Sequence, residues 1–232
     1  MTVIRTPIPN AKSNVDYEQT VGYRRFIIGQ DVGKRNDPSS FTIIKDEQVP
    51  LPRWGKGFKQ LQGDRTMSVV QAFRLPLKMP YAEQANFVLQ LLGDAALEES
   101  AHLYVDATGV GAAYCELLDN LHIRYRPVHI TSGDSWSEFE HEKYRVSKMW
   151  LLNAFSVAMQ SGALKISENI DDITQLKKEL EDFQVGLTAT GQITANSTAM
   201  SHDDLILATA IAYFGASTYK GAGMTVSPIK WR

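Results

Sequence analysis

Cysteine is almost absent: Cys115 is the one thiol among 232 residues. An internal disulfide and a cysteine-rich zinc site are therefore excluded, and Cys115 reads as a small apolar filler on a helix. Long apolar runs are missing too. No stretch approaches the roughly 20 residues that a bilayer-crossing helix needs. The opening MTVIRTPIPNAKSN has no continuous apolar core of signal-peptide length. One thiol and no secretory leader point to a cytoplasmic protein. A basic surplus is lacking as well, since 24 Lys and Arg stand against 26 Asp and Glu, a net charge of −2. A chain that coats nucleic acid without specificity is usually basic overall, so DNA contact here would need local patches. There is no internal repeat and no low-complexity tract. The 44% hydrophobic and 22% charged residues fit a soluble globular protein, and the length fits one large α/β domain.

Nucleotide-binding loops are imitated but not present. Gly29-Gln-Asp-Val-Gly33-Lys34-Arg35 is one residue short of a phosphate loop and has Arg35 where Ser or Thr is required. Gly109-x-Gly111 follows a strand, but Ala113-Tyr114 break the dinucleotide pattern.

What is present is a strand-helix alternation. Residues 1–22 are polar, carry Pro7 and Pro9, and read as an arm or linker. Residues 26–31 (FIIGQD) form a short apolar run closed by an acid, the mark of a buried strand. Asp37-Pro38 makes a turn, and 40–45 (SFTIIK) returns antiparallel. Residues 46–65, with two prolines and three glycines, read as an irregular loop before a third strand over 66–75. Pro80 starts a helix whose apolar residues Ala85, Val88, Leu92 and Ala95 keep a helical spacing. Then come a strand over 102–106 (HLYVD), a helix over 111–120, a strand over 123–130 and a polar loop over 132–142. Two helices follow, lined by Met149, Leu152, Phe155 and Met159, then by Ile173, Leu176, Leu180 and Phe183. Residues 185–187 and 192–194, split by Thr190-Gly191, predict a small hairpin. The last helix, 202–216, is apolar nearly all round and should be buried. Residues 218–232 read as a flexible tail. The expectation is one α/β domain over 23–217, a mixed central sheet with helices on both faces, in an order that fits an RNase H-like fold.

Acids stand where elements meet loops. Asp31 closes the first buried strand, Asp106 closes the later one ahead of Ala107-Thr108-Gly109, and Asp203 and Asp204 open the final helix. If the two strands are neighbours, these carboxylates project from one edge of the sheet. Crowded carboxylates repel unless protonated, and a hard divalent cation with a preference for oxygen ligands removes the conflict. Two such ions about 3.5–4 Å apart can stabilise the attacking and departing oxygens of a phosphodiester displacement. Each acid also has a plain role. Asp31 can cap a turn with Gly33, Asp106 can bond the amides that follow it, and Ser201-x-x-Asp204 matches a capping box. Basic residues for DNA phosphates are Lys34 and Arg35 after the first acid, and Lys143, Arg145 and Lys148 beside the 132–142 loop. Arg53, Lys56 and Lys59 form a further group, and a solvated charged face is the alternative for each.

FIIGQDVGKRNDPSSFTII, LYVDATGVGAAYCELL and SHDDLILATAIA resemble the three acidic motifs of the nuclease domain of tailed-phage terminase large subunits. KYRVSKMWLLNAFSVAMQSGALKIS and LKKELEDFQ are similar to that family's linking helices, so the resemblance spans about residues 24 to 216. It implies an RNase H-like endonuclease that uses two Mg²⁺ or Mn²⁺ ions to cut double-stranded concatemeric viral DNA during packaging in the host cytoplasm. It implies Asp31 bridging both metals, Asp106 on one, Asp204 as the direct third ligand, and Asp203 as ligand or supporting residue. His202 reads as an orienting residue. The implied partners are a terminase ATPase module, a small terminase subunit and the portal protein, with no membrane. These residues hold no ATPase, so the motor is expected on another chain or removed from an excised domain. Two other readings are an actin-like or sugar-kinase-like phosphotransferase, which needs a second lobe, and a non-catalytic docking module.

Overall fold

One long strand organises the molecule. The computed structural model describes residues 2–7, 18–33, 37–56, 60–97, 100–190 and 204–219. Its strands are β1 (Thr2–Pro7), β2 (Glu18–Asp31), β3 (Ser40–Gln48), β4 (Pro50–Trp54), β5 (Gln60–Gln62) and β6 (Thr66–Arg74), then β7 (Ala101–Asp106), β8 (Tyr125–Thr131), β9 (Trp136–Glu140), β10 (Lys143–Ser147) and β11 (Leu164–Ile166). Its helices are α1 (Tyr81–Leu92), α2 (Val110–Asn120), α3 (Lys148–Gln160), α4 (Ile173–Thr190) and α5 (Asp204–Thr218).

The main sheet has the order β11-β6-β3-β2-β7-β8-β10-β9, with β1 paired to β2. β2 is shared along its length: its first half pairs antiparallel with β1 and its second half parallel with β7. β3 and β6 run antiparallel beside it, whereas β7, β8 and β10 run parallel to it. Three antiparallel strands joined to parallel ones, with helices on both faces, make the sheet RNase H-like. The parallel strands all deliver their C-terminal ends to one edge.

Two apolar clusters fill the two faces. Phe26, Ile28, Phe41, Leu103 and Val105 face α1 and α2, packing with Ala85, Val88, Tyr114 and Leu118. Ile27, Ile44, Tyr104 and Val128 face α3, α4 and α5. Apart from half-buried Tyr213, α5 buries every residue from Leu205 to Ala216, as its all-round apolar sequence predicts. It can press on the sheet because Gly29 has no side chain. A Cβ there would stand 2.1 Å from the Ala208 carbonyl oxygen. No helix among the described residues is long and apolar enough to cross a membrane.

Several stretches differ from their sequence reading. Residues 2–7, expected in an arm, form β1 on the sheet. The 46–65 loop contains the β4-β5 hairpin, and the polar loop contains β9. β10 carries a period-two signal in Lys143-Tyr144-Arg145-Val146, with Tyr144 and Val146 buried and the two cations exposed. The expected strand over 185–187 is instead part of α4. Leu176, Leu180, Phe183 and Leu187 keep a helical spacing, so the same apolar residues satisfy the longer helix. Residues 192–194 and the tail beyond Tyr219 lie outside the described residues.

Candidate metal centre

The site is built from strand ends. The last register pair of β2 and β7 is Gln30 with Val105, so the next residues, Asp31 and Asp106, are neighbours on adjacent parallel strands. Strand spacing puts their backbones about 5 Å apart. Ile27 and Tyr104 belong to the α5-side cluster, and side chains alternate, so Asp31 and Asp106 share the α5 face. Both are half-buried.

α5 brings the third acid to the same level. Gly29 touches the helix at Ala208. Asp31 lies two strand residues further along, roughly 6.6 Å, and Asp204 lies four helix residues back, roughly 6 Å. Asp204 is 19% exposed and its Oδ2 stands 3.6 Å from Nη2 of Arg74, at the end of β6. Asp203, His202 and Ser201 lie outside the described residues, as do Lys34 and Arg35. Among the described residues, no three His, Cys, Asp or Glu side chains gather closely enough to hold a metal ion. Three carboxylates therefore reach one edge without closing into a ready cage.

The VDATGVG segment is explained by what surrounds Asp106. The Thr108 amide donates to Asp106 Oδ1 at 2.8 Å, and the Thr108 hydroxyl accepts from the Ile130 amide at 2.7 Å, tying the turn to β8. Gly109 adopts φ 57°, which disfavours a side chain. Gly111 allows the first turn of α2 to lie on Asp106, whose carbonyl oxygen would be 1.9 Å from a Cβ. Burial pushes the Asp106 carboxyl above its ordinary value, and bonds from Thr108 with the charges of His129 and Lys148 only partly offset this. The loop after Asp31 is pinned too. The Gly33 amide donates to Ser39 Oγ at 3.0 Å, and the Tyr81 hydroxyl donates to the Gly33 carbonyl at 2.9 Å.

The start of α5 is capped from another helix. Glu179 of α4 accepts from the amides of Leu205 at 3.0 Å and Ile206 at 3.2 Å, and it is paired to Arg74. Burial raises its carboxyl pKa, opposed by Arg74 and by bonds from Gln175 and Ile206. Glu179 thus caps these two amides from a distant helix, while Ser201, named with Asp204 as a capping box, lies outside the described residues. Sequence reasoning passed over Glu179 and Arg74. Glu179 carried a signal: a charge at the helical spacing of Leu176, Leu180 and Phe183, on the apolar side of α4.

The oxygen donors here suit a hard divalent cation rather than a soft one. Beside them, the hydroxyl of Ser40, register partner of both Asp31 and Arg74, is buried with no hydrogen-bond partner among the described residues. That orphaned oxygen agrees with a polar occupant at this edge.

The cations are distributed unevenly. Lys148 opens α3 at the end of β10 and acts electrostatically on Asp106. Lys143 pairs with Glu140 at 2.6 Å, and the Arg145 guanidinium lies over the Phe139 ring at 4.2 Å. Both belong to the sheet face opposite Tyr144 and Val146, away from the acids. Arg53 and Lys56 are exposed on a hairpin that leaves β3 beyond Gln48, which pairs with Tyr23. They lie roughly 25 Å from the acidic edge, and Lys59 is outside the described residues.

No protein-family model matches the chain. It is similar to the terminase large subunits of Thermus phage G20c and Thermus virus P23-45, each 30% identical over 198 residues, covering 84% of this chain and 32% of the relative. The chain thus spans about a third of the length of these relatives. Among solved structures it is similar to the large terminase nuclease of thermophilic phage G20c with bound zinc, with TM-score 0.47 and 20% identity over 85% of this chain and 82% of that one. It is also similar to the human cytomegalovirus terminase nuclease domain, with TM-score 0.46 and 11% identity over 91% and 89% of the two chains.

Proposed function

This chain is homologous to phage terminase large subunits along 84% of its length, and from that premise we propose that it is a metal-dependent endonuclease acting on double-stranded DNA. The observation that carries this reading is the placement of Asp31 and Asp106 as neighbours on one face of the sheet edge, with the acidic start of α5 at the same level.

Mg²⁺ or Mn²⁺, two ions in the full site, would supply a lowered-pKa water and charge neutralisation at the phosphate. Asp31, next to Asp106 across the strand pair, would be shared between ions, with Asp106 and Asp204 each serving one and Asp203 completing or supporting the set. The Thr108 amide fixes one Asp106 oxygen, so the carboxylate is oriented before any substrate arrives. Lys148, beside the acids, would hold a DNA phosphate as a point charge, and Lys34 and Arg35 follow Asp31 in sequence to do the same. Lys143 and Arg145 would serve DNA only where it wraps to the other face.

The substrate would be concatemeric viral DNA cut during packaging in the host cytoplasm. The partners would be a terminase ATPase module, a small terminase subunit and the portal. We assign the nuclease unit to 23–217, with β1 added to its sheet and residues beyond 218 as a tail.

Plasmid nicking tests the reading. Slow cutting is expected, faster with Mn²⁺ than Mg²⁺, abolished by EDTA and by Asp106→Asn. Cutting that persists in Asp106→Asn removes this residue from the site. No metal-dependent cutting by the unaltered chain, together with binding to portal or small subunit, would favour a docking module.

A further inference from the structure

Among the described residues two tryptophans are exposed, Trp136 at 38% and Trp54 at 46%. Trp54 ends β4, on the hairpin at the end of the sheet opposite the acids. Trp136 stands elsewhere. It opens β9 and pairs with Val146 of β10, which pairs in turn with Ile130 of β8. Ile130 is two residues beyond Val128, the register partner of Asp106, so Trp136 lies at the level of the acidic edge. Its pairing with Val146 and its ring contact with Phe214 put it on the α5 face, which Asp31 and Asp106 share. Three strand spacings separate it from Asp106, roughly 14 Å. That is about four base pairs of a duplex at about 3.4 Å each.

The ring is firmly held. Its centroid is 5.4 Å from Phe214, 6.1 Å from Trp150 and 6.3 Å from Tyr144. The residues just before it are tied to the end of β10, where the Ser147 amide donates to the Ser135 carbonyl at 2.9 Å and the Ser147 hydroxyl to the Gly133 carbonyl. Lys148, whose charge acts on Asp106, opens the helix that carries Trp150. A cation and a fixed aromatic ring therefore share one rim with the acids. Indole rings are highly buried on average in folded proteins, and this one is packed against three others yet still open to solvent.

We propose that Trp136 is a DNA-contacting residue of the nuclease: its exposed ring packs on the duplex backbone about four base pairs from the cut and sets how the DNA lies across the acidic edge. This rests on the nuclease reading and extends its DNA contacts beyond charge. A lysine holds a phosphate at a point, whereas a rigid ring adds an apolar surface for the sugar beside it. A ring that only covered the Phe214 cluster would act on stability alone.

Trp136→Leu removes the ring, Trp136→Phe keeps a smaller one, and Trp54→Leu is the control. Nicking is measured against plasmid concentration at saturating Mn²⁺ and equal folded fraction. In parallel, tryptophan emission is quenched with acrylamide, with and without a duplex oligonucleotide, in Ca²⁺, another oxygen-seeking divalent ion. Trp136→Leu is expected to raise KM about five- to tenfold while kcat stays within about threefold, as for lost binding common to ground and transition states. Trp136→Phe should fall between, and Trp54→Leu should match the unaltered chain. The duplex should shield the emission of the unaltered chain and of Trp54→Leu from acrylamide, but not that of Trp136→Leu. An unchanged KM in Trp136→Leu overturns the proposal, as does shielding that persists in it or is missing from an unaltered chain that nicks. If Trp136→Leu does not fold, Trp136→Phe decides by shielding: its loss supports the proposal and its persistence overturns it. An unaltered chain that is neither shielded by DNA nor able to nick it defeats the nuclease reading itself, whereas a failure confined to the variants leaves that reading standing.

Discussion

Replacing Gly29 by alanine tests the contact that sets α5 against the sheet. The new Cβ would lie 2.1 Å from the Ala208 carbonyl oxygen and 2.5 Å from the Ala212 amide nitrogen, where about 3.5 Å is ordinary contact. Both obstacles are backbone, so no change of rotamer relieves them, and the helix must retreat by more than about 1 Å. Overpacking costs about 1–3 kcal/mol, and the upper end applies where nothing flexible can yield. For a chain of this size, about 3 kcal/mol lowers the melting temperature by roughly 6–12 °C. The same retreat carries Asp204 away from Asp31 and Asp106, and a 1 Å misplacement of reacting groups costs about 10²-fold in rate. Gly215→Ala is the control, since its Cβ would meet the Tyr104 ring at 2.6 Å and Ile27 Cγ2 at 2.8 Å, near the far end of the same helix. Both variants should melt lower. At equal folded fraction, Mn²⁺-dependent nicking should fall about 10²-fold in Gly29→Ala and less than about threefold in Gly215→Ala. An unchanged melting temperature in Gly29→Ala, or equal nicking losses in the two, refutes the argument.

Asp106→Asn should abolish metal-dependent nicking without lowering the metal-free melting temperature at neutral pH. Burial raises the folded-state pKa of this carboxyl, so its ionisation weakens the fold as pH rises from the unfolded value through the folded one, and asparagine removes that loss while keeping an acceptor for Thr108. A melting temperature several degrees below the unaltered chain would contradict this. His102 runs the opposite way, its pKa depressed to about 3 by burial first and by Arg126 and other cations next. The unfolded chain therefore binds the extra proton between about pH 6.5 and 3, stability falls as pH drops through that window, and His102→Gln should flatten the denaturant midpoint across it. Lys148→Gln should weaken DNA binding and reduce the salt slope by about one, while Arg53→Gln with Lys56→Gln leaves nicking unchanged, as filter binding and plasmid assays at several salt concentrations would reveal. Mn²⁺ at about 100 times its dissociation constant should stabilise the chain by about 2.7 kcal/mol, and scanning calorimetry with and without EDTA measures it.

The strands that end in Asp31 and Asp106 were legible because a buried strand closed by a charge breaks its own pattern, and parallel pairing then makes the two acids neighbours. α5 was legible from an apolar surface with no polar side. β1 was not, because a short strand pairing with the first half of β2 needs no strong period of its own. The 185–187 strand was misread because apolar residues at mixed spacing satisfy both periods, and a preceding helix decides between them. The acids were found as single residues, but their company was not. Glu179 and Arg74 lie 105 positions apart and become partners only when α4 crosses the end of β6. No local spacing encodes that meeting.

An all-round apolar helix raises a problem that amphipathic helices avoid. With no polar stripe, burial alone favours no particular rotation or axial position for α5, yet the third acid is useful only at one. The fixing must therefore come from specific contacts, and they occur along the whole helix. Gly29 and Gly215 set its distance from the sheet. The hydroxyls of Thr42 and Thr209, 2.9 Å apart and buried, set its rotation, since an unpaired hydroxyl there costs about 1–3 kcal/mol. Glu179 holds its N-terminus, while Arg25 and Arg65 donate to the Ala216 carbonyl at 3.1 and 2.7 Å at the other end. A carboxylate on the first amides and two guanidiniums on a last carbonyl both complement the helix dipole. Asp46, fully buried, holds both guanidiniums in turn, so removing it leaves two cations beside the α5 C-terminus without their shared counter-charge, and Asp46→Asn should cost about 3–5 kcal/mol. If α5 is a ruler for Asp204, that distant change should also lower nicking per folded molecule; a loss confined to stability would mean that the acidic end is set by Glu179 and Gly29 alone.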